Sequence, residues 1–184
     1  MNKTLIFFLF IFTNLTSCEQ AKNSIPENFF RLLNNYERDS LKIITSENFE
    51  LKEGNISQPI KKAEFLDTFL TFSKAINGKF NVLRKLSNAE PNSFLVEDVT
   101  DLSKYLNLKP LTWKVIITIK NGKVNKMASD TTVGFQNYMD DFTVKHDRFI
   151  KWLSSKYPNE NENILYNNPN GLFTERLKEY SATK

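Results

Sequence analysis

The sequence predicts an α+β fold, on three observations. Asn121-Gly122 lies between two β-branched runs, residues 111–120 and 123–132, and Asn-Gly is the strongest short-range signal for a two-residue type I′ hairpin. Segments 79–87 and 94–101 alternate apolar and polar side chains, as half-buried strands do. Phe29, Leu32, Leu33 and Tyr36, and later Phe65, Phe69, Phe72 and Ile76, recur at three and four residues, the spacing of an amphipathic helix.

A two-residue turn at Asn121-Gly122 sets a register. Lys120 faces Lys123, Ile119 faces Val124, Ile117 faces Lys126, Val115 faces Ala128 and Trp113 faces Asp130. Side chains alternate along a strand, so Trp113, Val115, Ile117, Ile119, Val124 and Ala128 form the core face. Lys and Thr dominate the other face, with Ile116 and Met127 as a smaller apolar pair.

The remaining elements follow in chain order. Pro26 opens a first helix. Asp39 and Ser40 break or cap it, and Leu41, Ile43 and Ile44 begin a second short helix. Residues 48–52 alternate as a short strand. A third helix opens near Pro59, carries Phe65 to Ile76, and ends at Asn77-Gly78, where positive φ suits a C-cap. Residues 102–110 connect the strands to the hairpin, with one helical turn around Tyr105. Phe135, Met139, Phe142, His146, Phe149 and Leu153 then form the seam of a long helix that Pro158 stops. Residues 159–163 read as a polar connection and 167–171 as a turn. A last amphipathic helix carries Phe173, Leu177 and Tyr180.

Composition narrows the function classes. The chain has 184 residues, 40% hydrophobic and 25% charged, with a net charge of +4, which suits one globular domain. Its lysines are interspersed with acids, and no stripe implies nucleic acid. One cysteine makes no internal disulfide. One histidine and one cysteine build no His/Cys zinc site. No cofactor is called for.

At the N-terminus Lys3 precedes an apolar run, residues 5–12, too short for a membrane span and of the size of a signal-peptide core. Leu15-Thr16-Ser17-Cys18 follows and resembles the lipobox of bacterial lipoproteins. That resemblance implies cleavage before Cys18 and acylation of Cys18 with chains such as palmitate, two or three of which anchor durably. It also implies that no free thiol remains for catalysis, and that the protein sits in the cell envelope, more naturally at the outer membrane. Residues 19–26 read as a polar tether, about 25 Å at full extension.

The order helix, helix, short strand, helix, then four strands ending in an Asn-Gly hairpin resembles the NTF2-like (SnoaL-like) superfamily. The stretch Asn48-Phe-Glu-Leu resembles that family's first strand, and Thr112-Trp-Lys-Val-Ile-Ile-Thr-Ile-Lys-Asn-Gly-Lys-Val its penultimate strand and turn. The resemblance implies a cone, a strongly bent antiparallel sheet wrapped around a long helix with a pocket at its wide end. The domain plan is then a signal peptide at 1–17, a tether at 18–26, an NTF2-like domain at 27–134 and a C-terminal helical extension at 135–184. The fold hosts enzymes and non-catalytic binders alike, and no family catalytic set transfers onto this chain residue by residue.

Candidate residues are few. Trp113 and Asp130 are assigned to ligand binding, because the register puts them opposite each other on the face that lines a cone. Asp98 and Asp101 are further carboxylates, or else edge residues. His146 reads as a core residue of its helix seam, and Trp152 as core packing. No catalytic residue and no metal ligand is assigned. The expectation is a lipid-anchored envelope protein, binding a small apolar ligand or a protein partner without catalysis. The alternative is an isomerase, dehydratase or hydrolase with a carboxylate in an aromatic pocket. The seam of the long helix packs on its own sheet, caps the pocket or pairs with a second copy as a homodimer.

Overall fold

The computed structural model describes residues 24–54, 58–87, 91–130, 134–168 and 171–183. Cys18 and the tether up to residue 23 lie outside them. The elements are α1 (Ile25–Asn34), α2 (Arg38–Ile44), β1 (Thr45–Glu53), β2 (Ile60–Lys61), α3 (Lys62–Glu64), a π-helical turn (Phe65–Phe69), α4 (Leu70–Ala75), β3 (Lys79–Ser87) and β4 (Asn92–Val99). They continue as α5 (Asp101–Tyr105), β5 (Leu111–Lys120), β6 (Lys123–Asp130), α6 (Phe135–Lys156), α7 (Glu162–Tyr166) and α8 (Leu172–Ser181).

The six strands form one open sheet in the order β2-β1-β6-β5-β4-β3. It is mixed, because β1 runs parallel to β6 while every other pair is antiparallel. Helices α1 to α4 pack on one face. There Phe29, Leu33, Phe49, Phe65, Phe94, Val115 and Ile117 are buried in a single apolar cluster. Its rings interlock, with Phe49 and Phe65 centroids 4.7 Å apart and Phe30 and Phe94 5.4 Å apart, so the fold rests on aromatic packing. This is the α+β class expected from the order of elements, with one correction: the sheet was expected to be antiparallel throughout, and the parallel β1–β6 pair makes it mixed.

The hairpin turn forms as read, with φ of 51° at Asn121 and 71° at Gly122, and Lys120 opposite Lys123. The register beyond it does not hold. Ile119 pairs with Val124, but Thr118 pairs with Lys126, so Asn125 is the extra residue of a bulge. One added residue moves every later side chain to the other face. Ile117 therefore faces Met127, Ile116 faces Ala128, and Lys114 faces Asp130, while Trp113 lies opposite Val96 on β4. Met127 is buried in the core where Ala128 was expected. The Asn125 side chain accepts a hydrogen bond from Ser46 Oγ at 3.0 Å, and β1 shifts its own register between Thr45 and Glu50.

The third helix is also not uniform. Its five-residue π turn places Leu70 N–H on Phe65 C=O, one residue further apart than an α-helix does. The buried face passes to Leu70, Ser73 and Ile76, and Phe72 is 38% exposed instead of buried in the core stripe. Phe72 stacks on Tyr166 of α7 with centroids 4.9 Å apart.

The outer edge strand β3 is fastened by α1. The Asn34 side-chain amide donates to Phe80 C=O at 3.0 Å and its oxygen accepts from Phe80 N–H at 2.8 Å. One side chain thus occupies two ladder groups that an edge would leave open.

Beyond the cone, α6, α7 and α8 close a second apolar cluster with α5 and the end of α4. It contains Ile76, Leu102, Leu106, Phe149, Leu153, Leu165, Phe173, Leu177 and Tyr180. The long seam is buried only at Phe149 and Leu153, while Phe135, Met139 and Phe142 stay half-buried. Residues 162–166 form α7, where no helix was expected. Asn161 caps it by accepting from Ile164 N–H at 3.0 Å, the usual role of Asn at that position. Arg176 clasps the end of α6. Its guanidinium makes two 2.7 Å bonds to Glu160 and lies 3.8 Å above the Tyr157 ring centre.

Candidate functional site

A cavity of about 230 Å³ opens on the concave face. The inner positions of four strands supply its wall: Leu51 and Glu53 from β1, Met127 and Ser129 from β6, Trp113 and Val115 from β5, and Asp98 from β4. Each pair is spaced by two residues, the period that keeps side chains on one side of a strand. The helix side contributes Phe69, Phe72, Ser73 and Ile76, and Phe80 and Thr100 close the rim. The π turn ends at Phe69, itself one of the lining residues.

Among the described residues two carboxyls face the cavity and no cationic side chain lines it. Burial, with the nearby Glu53 charge adding to it, pushes the Asp98 pKa from the carboxylate range up to about 7. Burial raises Glu53 as well. Removing a charge from water disfavours the ionised form, and a like charge nearby disfavours it further. Tyr138 of α6, which lines a separate cleft with Leu111 and Thr112, is pushed up to about 12, by burial first and the Asp98 charge second. The long helix also covers Trp113, whose ring lies 5.5 Å from that of Phe135.

Trp113 and Asp130, read from the sequence as one site, separate. Trp113 lines the cavity, whereas Asp130 is exposed opposite Lys114 and is not among the lining residues. The bulge at Asn125 is the cause. Asp101 is buried at the start of α5 and accepts a hydrogen bond from the Thr174 hydroxyl, which ties α5 to α8. His146 stacks on Phe142 at 5.0 Å. Its Nε2 lies 2.9 Å from Glu162 Oε1 without hydrogen-bond alignment. Trp152 packs between Phe149 and Tyr180. Among the described residues no group of three His, Cys, Asp or Glu side chains could hold a metal ion. No described helix is long and apolar enough to cross a membrane.

Glu53 and Tyr138 were not singled out from the sequence. Glu53 carried a signal: Phe49, Leu51 and Glu53 share a face, so the acid follows two inward apolar residues. Phe94, Val96 and Asp98 repeat the pattern on β4. Tyr138 had no such mark.

No family model matches the chain, and no curated protein matches it. Several solved structures are similar in fold. An NTF2-like protein of unknown function from Cytophaga hutchinsonii shares 11% identity, covering 57% of this chain and 84% of its own, with a TM-score of 0.46. A SnoaL-like polyketide cyclase from Agrobacterium tumefaciens shares 14% identity over 63% of this chain and 92% of its own, with a TM-score of 0.47. A de novo designed NTF2 fold protein shares 14% identity over 64% and 89%, with a TM-score of 0.43. These likenesses concern the cone, and no residue role is taken from them.

Proposed function

We propose that this chain is a lipid-anchored envelope protein that holds a small, mostly apolar ligand in its cone without transforming it. The observation that carries the binding reading is the cavity itself, aromatic on several sides and holding carboxyls with no cationic neighbour among the described residues of its wall. Core space of this size is normally filled in a domain that needs only to be stable. A void of about 150 Å³ takes up benzene, so this one accommodates a single ring with a short substituent. Native mass spectrometry of the full chain purified from envelopes tests the reading, through a bound small molecule that a cavity-filling substitution removes.

The anchor reading rests on the lipobox-like Leu15-Thr16-Ser17-Cys18. Cys18→Ala is expected to release the protein from membranes, and retention at the membrane would refute it. A protein partner in the envelope remains the competing occupant for the same anchored domain, and it predicts a co-purifying chain instead of a small molecule.

One observation favours a second reading, in which the pocket does chemistry. A carboxyl poised at about 7 in an aromatic pocket suits proton transfer at working pH. Asp98 would take a proton from a carbon acid and return it. Exchange of substrate hydrogen for solvent deuterium, lost in Asp98→Asn, distinguishes this isomerase-like activity from binding alone.

A further inference from the structure

We propose that the ligand carries a cationic amine, seated between Glu53 and Asp98, with its apolar part against Trp113 and the Phe69, Phe72 and Phe80 rings. This rests on the ligand-binding reading and names the chemical class. Among the described residues the cavity wall holds two acids and no Lys, Arg or His. Among the described residues no ion pair involves either acid. Ser73, Thr100 and Ser129 supply only hydroxyls. An anion would meet two carboxyls, and a neutral ligand would leave their charge without a partner above neutral pH. An ammonium group satisfies both acids. The surrounding ring faces are attractive to a cation as well as to hydrocarbon.

The same arrangement makes binding release protons. The titratable groups facing Asp98 are Glu53 from β1 and Tyr138 from α6. Its ladder neighbours are Phe80 on β3 and Leu111 on β5. Raised to about 7, Asp98 holds a proton at mildly acid pH, and burial shifts Glu53 in the same direction. An arriving ammonium favours their ionised forms and drives protons into solvent.

Three probes of matched shape test this on the full chain: phenethylammonium, 2-phenylethanol and phenylacetate. Calorimetry at about pH 6.5, in buffers of different ionisation enthalpy, reads affinity and proton count together. The amine is expected to bind at least about tenfold more tightly than the alcohol, with net proton release. In Glu53→Gln/Asp98→Asn the amine preference and the proton release are both lost while the alcohol still binds. If the alcohol or phenylacetate binds as well as the amine, the amine class is overturned and the ligand-binding reading stands. If a folded protein binds none of the three, both fall.

Discussion

Glu53 and Asp98 face the same cavity although two strands, β6 and β5, lie between theirs. On a flat sheet three strand spacings alone would put them about 14 Å apart, before any offset along the strands. Both nevertheless line one cavity, and the Glu53 charge adds to the effect of burial on Asp98.

The first consequence concerns pH and stability. Asp98 is raised in the folded chain to about 7, so between about pH 4 and pH 7 the folded state holds a proton that the unfolded state has lost. The contribution of Asp98 to stability is then fully present below about pH 4 and is lost as pH rises through that window. Asp98→Asn removes the dependence. It is expected to stabilise the protein by about 1–3 kcal/mol at pH 8 and by little at pH 4, measured by urea denaturation at both values. Equal effects at the two pH values would refute the assignment.

The hairpin bulge makes an opposite pair of expectations. Met127 is in the core and Asp130 is outside it. Met127→Ala should cost about 2–5 kcal/mol, and Asp130→Asn should stay within about 0.5 kcal/mol. An uninterrupted register would bury Asp130 beside Trp113 and turn Met127 outward, so thermal unfolding of the two variants would show the reverse ranking.

The clasp between α6 and α8 relies on the fork of Arg176. Lysine keeps the charge but supplies neither the two parallel bonds to Glu160 nor the flat stack on Tyr157. Arg176→Lys is expected to lose about 1–2 kcal/mol and Arg176→Ala about 2–3 kcal/mol. Hydrogen exchange should report the loss first in α8. A loss spread evenly over β4 to β6 would contradict a local clasp.

Much of the cone was legible in the sequence, for identifiable reasons. The Asn121-Gly122 turn and the stripes of α1 and α8 are local patterns, and local patterns survive folding. The bulge at Asn125 left no such trace: nothing in Lys-Val-Asn-Lys-Met distinguishes a bulged residue from a paired one. It is stabilised by Ser46, 79 positions away. The π turn at Phe65–Phe69 was hidden in the same way, because its phenylalanines fit an α-helical stripe. The site was half legible. Parity along β1 and β4 turns Glu53 and Asp98 inward, but parity alone does not say that they line one cavity. Asp130 falls opposite Trp113 only on an uninterrupted register beyond the turn, which the Asn125 bulge breaks.

An occupied cavity is tested most directly by native mass spectrometry of the full chain purified from the cells that make it. Wild type should carry a bound small molecule. Ser129→Leu, which fills the cavity from β6, should fold and carry none. An empty wild-type protein, or an equal bound mass in the filled variant, would contradict the account.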